Sequence, residues 1–221
     1  SDDPLELQYD AEKTRAEAQA AVDESKLNMA RDVLKGELRL LRRQAGSRPK
    51  LKQEQQSGEL PDNLVYMRLG KASVIGAADL MGDLGGVYQR MGQEAEGLAT
   101  LEDAVELLRA GFGERDPRYG MAVDRYADAL VHIGRAAEAV PVYRKLLTAM
   151  QTYLGSSHPG YQLTLRKLAD AAKSAGKHAA AGKAYKEMLE LVDAVAAGGG
   201  GPPEDHHHGA GSRHDGTRPE A

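Results

Sequence analysis

Apolar side chains recur every three or four residues between residues 71 and 193, in pairs of segments that are each divided by a glycine. This spacing places the apolar side chains on one face of a helix. One pair of segments flanks Gly134, with apolar positions at Val123, Tyr126, Ala127 and Leu130 before it and at Ala139, Tyr143, Leu146 and Leu147 after it. The pattern predicts pairs of amphipathic helices.

The pairs are copies of one another. Residues 91–97 (MGQEAEG) recur as 133–139 (IGRAAEA) and as 175–181 (AGKHAAA), each copy beginning 42 residues after the one before it. Residues 112–117 (FGERDP) recur as 154–159 (LGSSHP) at the same spacing. A period that holds at two separate landmarks indicates a repeat architecture.

Glycine and proline mark the predicted ends of the helices. Gly92, Gly134 and Gly176 stand where the first helix of each pair should stop, since glycine adopts the left-handed backbone conformation that ends a helix. Pro117 and Pro159 stand where the next pair should begin, because proline in the first turn loses no hydrogen bond.

Small residues mark the expected crossing points of the two helices in a pair, where a larger side chain would push the helix axes apart. They are Gly85, Ala127 and Ala169 in first helices, and Gly97, Ala139 and Ala181 in second helices.

These landmarks resemble the tetratricopeptide-repeat family. Two units carry its small–Gly–Ala–Tyr spacing, as Ala127, Gly134, Ala139 and Tyr143 and as Ala169, Gly176, Ala181 and Tyr185. The 42-residue period and the Leu-Gly-x-x-His-Pro junction are similar to the repeats of kinesin light chains, over roughly 71–193. In the first unit, Gly97 and Leu101 replace the family's Ala and Tyr.

The resemblance implies an all-α fold, a short right-handed α-solenoid of antiparallel helix pairs. It also implies a non-catalytic protein–protein interaction module, acting as an adaptor, a scaffold or an assembly subunit. We expect the partner to be an extended peptide or a helix.

Four regions are predicted along the chain. Residues 1–45 contain two helical stretches, 5–22 and 25–45, and we expect a helical hairpin that caps the repeats. Residues 46–61 read as a loop or insertion, 62–197 as the repeats, and the Gly/Pro/His-rich residues 198–221 as a disordered tail.

By the family's geometry, the first helices line a concave groove. The candidate partner-binding residues there are Asp83, Arg90, Asp124, Arg125, Asp128, Arg166, Lys167, Asp170 and Lys173. Acidic residues lie toward the first unit and basic residues toward the third, which suits a partner of matching polarity. The alternative is that these side chains are merely the solvated faces of helices.

Two more specific sites are rejected. Chaperone-binding relatives hold a terminal carboxylate with a Lys/Asn/Arg clamp, but the equivalent positions here contain no Asn. The run Gly82-Asp83-Leu84-Gly85-Gly86 is not a phosphate loop, because it lies inside a predicted helix with no preceding strand.

Acidic and basic residues are segregated along the N-terminal region. Residues 1–24 carry a net charge of −6 and residues 25–52 a net charge of +7. The candidate basic surface consists of Arg31, Lys35, Arg39, Arg42 and Arg43. One interpretation is that the acidic stretch neutralises the basic one within the hairpin. A second is docking to RNA through residues 26–52, as a subunit of a ribonucleoprotein or organellar complex, or docking to an anionic surface or an acidic partner. A third is a localisation signal.

The amino-acid composition excludes several classes of function and of chemical site. Lys+Arg 29 against Asp+Glu 33 gives a net charge of −4, which argues against nucleic-acid binding by the chain as a whole. With no cysteine, disulfides, cysteine–zinc sites and thiol nucleophiles are excluded. The histidines of residues 206–208 sit in a low-complexity tail, and no catalytic motif accompanies the Ser and Thr residues. We therefore expect no enzyme, no cofactor and no metal site.

Nothing in the sequence predicts a membrane span, since no apolar run approaches the roughly 18 residues required. We expect an intracellular protein, in the cytoplasm or in an organelle if an upstream targeting segment has been removed. The oligomeric state does not follow from the sequence.

Overall fold

The computed structural model describes residues 4–48 and 60–196, and within the first helix it describes a continuous run of side chains from Asp23 onward. This part of the chain is all-helical and contains no strand. In chain order its elements are α1 (Pro4–Gly46), a 3₁₀ helix (Asp62–Leu69), α2 (Lys71–Arg90), α3 (Glu94–Phe112), α4 (Pro117–His132), α5 (Ala136–Tyr153), α6 (Pro159–Ser174) and α7 (His178–Ala196).

The predicted helix pairs are confirmed. They are α2–α3, α4–α5 and α6–α7, and each first helix ends just before its predicted glycine. Gly92, Gly134 and Gly176 have φ angles of 70°, 79° and 71°, the left-handed conformation that stops a helix. Pro117 and Pro159 occupy the first turn of α4 and α6, as predicted.

Short side-chain hydrogen bonds cap the starts of α4 and α6. The Asp116 carboxylate accepts a hydrogen bond from the Arg118 backbone N–H at 2.9 Å. The His158 Nδ1 atom accepts one from the Gly160 backbone N–H at 3.0 Å. Each cap satisfies a donor that the first turn of a helix otherwise leaves unpaired.

Each helix packs on the next one along the chain, which is the stacking expected of a helical solenoid. The core is built mainly from Leu, Ala, Val and Tyr, with Leu107, Leu130, Tyr143 and Leu165 among its largest fully buried side chains. At the first predicted crossing point, a Cβ added to Gly97 would lie 3.3 Å from the Gly85 carbonyl oxygen. The small residues there therefore let α2 and α3 approach closely.

The predicted N-terminal hairpin is wrong, because α1 is one continuous helix of 43 residues. The hairpin requires a break between residues 22 and 25, where the sequence changes from acidic to basic. No Gly or Pro stands there, and the Asp23 and Lys26 side chains lie one helical turn apart with a 3.7 Å Nζ–Oδ1 distance. A change of charge does not end a helix, so the acidic and basic halves lie end to end, and side chains away from their boundary cannot neutralise each other within α1.

The C-terminal half of α1 covers the first repeat unit. Leu38 and Leu41 pack into the cluster that contains Tyr66 of the 3₁₀ helix and Val74 and Met81 of α2. Helical structure therefore resumes at residue 62, as predicted, but as a 3₁₀ helix. Residues 49–59, most of the predicted loop, and residues 197–221, which contain the predicted tail, lie outside the described residues.

Candidate functional site

The first helices of the three units, α2, α4 and α6, are joined by side chains that cross from each helix to the next. Arg125 of α4 reaches toward Asp83 of α2, with a 3.9 Å distance between Nη1 and Oδ1. Lys167 of α6 reaches two carboxylates of α4. We call the surface formed by the nine predicted partner-binding residues on these helices the groove face.

Lys167 ties the second and third units together. Its Nζ atom donates hydrogen bonds of 2.7 Å to Asp124 Oδ2 and of 2.7 Å to Asp128 Oδ2. Only 24% of its side chain is exposed. Lys167 is thus an internal bridge of the groove face and not a free cation, a role that the sequence analysis did not foresee.

This bridge lies in a partly buried, charged environment. Burial is the main cause that raises the pKa of Asp124, and the nearby Asp128 carboxylate adds to it, while Lys167 opposes it. Burial alone would lower the pKa of Lys167, but its hydrogen bonds to Asp124 and Asp128 prevail and raise it. Asp124 Oδ1 is buried and has no hydrogen-bond partner among the described residues.

A tyrosine from the second helix holds an aspartate of the first helix in two of the three units. The Tyr143 hydroxyl donates to Asp128 Oδ1 at 2.5 Å. The Tyr185 hydroxyl donates to Asp170 Oδ1 in the same way, 42 residues later. These two groove carboxylates are therefore fixed in position by their own repeat unit.

The first unit lacks this pair, because Gly86 and Leu101 occupy the positions of the aspartate and the tyrosine. A cavity of about 950 Å³ opens here, between α1 and the groove face. Its lining includes Gly82, Gly86, Val87 and Leu101 on the repeat side. Loss of one polar pair thus leaves an apolar recess at one end of the groove face.

Residues of α1 complete this cavity, and the sequence analysis missed them. Met29 and Val33 line it and are 68% and 58% exposed. Their four-residue spacing was a usable signal, since it places both side chains on one side of α1. With α1 assigned to a hairpin, that signal could not be connected to the groove.

Arg125 lies across α2 because Gly82 has no side chain. A Cβ added at Gly82 would overlap the Arg125 guanidinium group. The guanidinium therefore covers part of the α2 backbone at the edge of the cavity, while 52% of the Arg125 side chain stays exposed.

Three predicted cations of the groove face are exposed and form no ion pair with any described residue: Arg90, Arg166 and Lys173. Two large apolar side chains accompany them on the same helices, since Met121 is 63% and Leu163 49% exposed. The groove face thus combines free positive charge with exposed apolar surface.

The predicted basic surface of α1 is partly neutralised by its own neighbours. Arg31 Nη2 lies 2.9 Å from Asp32 Oδ1, and Arg42 Nη2 lies 2.5 Å from Asp62 Oδ1. Arg31 shares a cavity of about 280 Å³ with Lys35, Arg39, Tyr88, Gln93 and Glu96. The geometry places these arginines and lysines beside the first repeat unit, on a cavity separate from that of Met29 and Val33.

Two further features bear on function. Within residues 4–48 and 60–196, no helix combines the length and the apolar character that a membrane crossing requires. Across the same residues, no three His, Asp or Glu side chains come close enough together to hold a metal ion. The histidines of residues 206–208 lie outside the part of the chain that the structure describes.

Comparison with known families agrees with the repeat geometry. Residues 120–194 match the family model described as tetratricopeptide repeat. This part of the chain is therefore similar to tetratricopeptide repeats. The match covers α4 to α7, the units in which the aspartate–tyrosine pairs occur. A search of the curated proteins finds no match to the chain.

Solved structures of tetratricopeptide-like repeats share the fold. One is a Podosopora anserina protein described as a kinesin light chain with nearly identical TPR-like repeats (TM-score 0.50, 19% identity, 89% of this chain and 99% of that chain). A point variant of that protein aligns with a TM-score of 0.50 and 18% identity over 79% of this chain and 95% of that chain. BtubC (BKLC) from P. vanneervenii aligns with a TM-score of 0.50 and 13% identity over 99% of this chain and 90% of that chain. At these identities the likeness establishes a common fold.

Proposed function

We propose that this chain is a non-catalytic protein–protein interaction module whose groove face binds an acidic segment of a partner protein. Tetratricopeptide repeats are interaction scaffolds in general, and part of this chain is similar to them. The observation that carries the finer proposal is the imbalance between free cations and occupied carboxylates on the groove face.

The cations of the groove face are available to a partner. Arg90, Arg166 and Lys173 are exposed and unpaired among the described residues, and Arg125 has only a long contact to Asp83. Exposed basic side chains next to a partly apolar surface favour a partner that brings acidic and apolar residues together.

The carboxylates of the groove face are largely engaged within the chain. Asp124 and Asp128 accept hydrogen bonds from Lys167, and Asp170 accepts one from Tyr185. A basic partner would have to compete with these donors, whereas an acidic partner meets free cations. The predicted gradient from acid to base along the groove is therefore weaker in effect than the sequence suggests.

Apolar contacts would supply the remaining affinity. Met121 and Leu163 are exposed on the groove face, within reach of apolar side chains of the partner. Desolvated apolar anchors surrounded by charged contacts are the usual source of binding energy at interfaces.

Fluorescence anisotropy with three labelled peptides of equal length tests this proposal. The first peptide alternates Glu and Leu residues. The second carries Lys in place of every Glu, and the third carries Ser in place of every Glu. We expect the acidic peptide to bind best, and the Arg166→Glu/Lys173→Glu variant to bind it at least about tenfold more weakly, a loss of about 1.4 kcal/mol.

The matched control is Arg144→Glu/Lys183→Glu, which makes the same change of charge on the second helices, at exposed residues without ion pairs among the described residues. This variant should bind the acidic peptide about as well as the parent chain, apart from a small long-range effect. Equal losses in both variants, or no preference for the acidic peptide, would contradict the proposal.

The RNA alternative has no observation in its favour. Arg31 and Arg42 of the basic surface are already paired with Asp32 and Asp62, and the comparisons match repeat proteins.

A further inference from the structure

Helix α1 is much longer than the helix that supports it. At 1.5 Å per residue, its 43 residues span about 65 Å, whereas the 20 residues of α2 span about 30 Å. The two helices pack side by side from Ala45, which is fully buried, to Lys26, which lines the same cavity as Arg90 at the last turn of α2. About the first twenty residues of α1 therefore extend past the end of α2.

An apolar stripe on α1 stays exposed, and part of it borders the open side of the cavity between α1 and the groove face. Met29, Val33 and Leu40 are 68%, 58% and 50% exposed, in contrast to Leu38 and Leu41, which pack into the core. Spacings of four and seven residues place the three exposed side chains on one face of the helix. Between them, Gly36 has no atom within 4 Å of the position its Cβ would occupy, so this face is open along its length.

The two halves of α1 carry opposite charge. Residues 4–24 hold six acidic and two basic side chains, a net charge of −4. Residues 25–46 hold six basic and two acidic side chains, a net charge of +4. Because α1 is continuous, neither half can fold back onto the other. Lys26, Arg31 and Arg42 have carboxylate partners within the chain, whereas Lys35, Arg39 and Arg43 form no ion pair with a described residue.

We propose that two copies of the chain pair through α1 in antiparallel orientation, the acidic half of one copy lying along the basic half of the other. The two-fold axis passes near Ser25, the boundary between the halves. A second copy fits because the charge pattern is self-complementary only in this orientation, and a parallel pair would place like charges side by side.

Met29 and Val33 of the apolar stripe fit the same arrangement. With the axis near Ser25, Met29 and Val33 of one copy lie opposite residues 16–21 of the other. That stretch of sequence contains four alanines, and small residues permit two helices to approach closely. Pairing of this kind would also support the part of α1 that extends past α2, since most of the stability of a helix in a protein comes from the packing of one of its faces.

Sedimentation velocity of the full chain over a range of protein and salt concentrations is the first test. We expect a dimer that dissociates as salt is raised, because exposed opposite charges are screened by salt. A chain that stays monomeric at submillimolar protein and low salt would overturn the proposal.

Two variants with reversed charges on α1 are tested separately and as a mixture. Recovery of a dimer in the mixture shows that the loss in each variant alone is not caused by unfolding. Lys35→Glu/Arg39→Glu/Arg43→Glu makes both halves of α1 acidic, and Asp10→Lys/Glu12→Lys/Glu17→Lys makes both halves basic. Each variant alone should be monomeric, and an equimolar mixture should form a 1:1 heterodimer. Variants that each remain dimeric, or a mixture that stays monomeric, would overturn the proposal.

A distance measurement decides the orientation. The chain has no cysteine, so Gln8→Cys and Ser25→Cys each give a single site for a spin label. In an antiparallel dimer, the Gln8→Cys labels should be separated by about 50 Å, since residue 8 of one copy lies beside residue 42 of the other. The Ser25→Cys labels should lie about 10 Å apart. A short Gln8→Cys distance would indicate a parallel pair and contradict the proposal.

The dimer proposal and the peptide-binding proposal can be tested independently of each other. The charge-swap substitutions on α1 leave Arg166 and Lys173 unchanged, and the peptide-binding variant leaves the charges of α1 unchanged. A monomeric chain that still binds the acidic peptide would therefore contradict this inference alone.

Discussion

The Tyr143 hydroxyl donates a 2.5 Å hydrogen bond to Asp128, connecting the second helix of the middle unit to the first. The same carboxylate accepts a hydrogen bond from Lys167 of the next unit. Asp128 therefore joins contacts within one repeat to contacts between repeats.

Replacing Tyr143 by Phe should destabilise the fold by about 1.5 kcal/mol, the usual value of a hydrogen bond to a charged group. The residue is 1% exposed, so its packing is retained and only the hydroxyl is lost. Chemical denaturation of the purified variant measures this loss. The control is Tyr153→Phe, at an exposed residue with no hydroxyl hydrogen bond among the described residues, which should change stability by less than about 0.5 kcal/mol. Equal effects of the two substitutions would contradict the role assigned to Tyr143.

Replacing Lys167 by Met should cost about 2 kcal/mol, because it leaves the partly buried Asp124 and Asp128 carboxylates without their cation. Met preserves most of the length of the side chain and its packing. Lys173→Met, which removes an exposed cation without an ion pair among the described residues, should be nearly neutral. Thermal and urea unfolding of both variants provide the comparison, and a Lys173→Met loss as large as that of Lys167→Met would contradict it.

Alkaline pH should weaken the same bridge. The pKa of Lys167 is raised above its ordinary value of 10.5 in the folded chain, so its contribution is complete below pH 10.5 and is lost as pH rises through the folded-state pKa. The pKa of Tyr143 is also raised, by burial first and then by Asp128, so ionisation of this tyrosine in the unfolded chain adds to the loss above its ordinary pKa of 10.0. The free energy of unfolding should fall above about pH 10, and less steeply in a Lys167→Met/Tyr143→Phe double variant. If the free energy of unfolding fell with pH at the same rate in the parent chain and in the double variant, Lys167 and Tyr143 would not be the cause of the alkaline destabilisation.

Adjacent glycines of α2 should respond in opposite ways to alanine. A Cβ at Gly85 would lie 2.6 Å from Leu101 Cγ and 3.3 Å from the Gly97 carbonyl oxygen, so Gly85→Ala should destabilise the chain by about 2 kcal/mol. Nothing lies within 4 Å of the corresponding position at Gly86, where alanine should stabilise by up to about 1 kcal/mol through helix propensity. Circular-dichroism melts of the two variants measure this difference, and a stabilising Gly85→Ala would show that α2 and α3 are less closely packed than described.

The sequence predicted the repeat units well because glycine and proline define their ends. Gly134 and Gly176 adopt the positive φ angles expected of helix stops, and Pro117 and Pro159 begin helices with capped first turns. These are local effects that depend on one or two residues, and they can be recognised without knowing what packs against them.

Two features could not be predicted because they depend on long-range packing. The continuity of α1 was missed since its change of charge resembles a boundary, although no residue there breaks a helix. The role of Lys167 was missed since its pairing with Asp124, 43 residues earlier, depends on how α4 and α6 lie against each other. The residues of the groove face were recognisable from the repeat, but which of their charges remain free was not.

The most direct test of the central claim is site-specific photocrosslinking in extract of the source organism. A photoreactive amino acid is placed at Met121 or Leu163 on the groove face, and at Tyr153 or Leu189, which are similarly exposed elsewhere. We predict that a protein partner is crosslinked from Met121 and Leu163, and that these adducts disappear in the Arg166→Glu/Lys173→Glu background but persist with Arg144→Glu/Lys183→Glu. A partner crosslinked from Tyr153 or Leu189 but from neither groove position would contradict the assignment of the groove face as the binding surface.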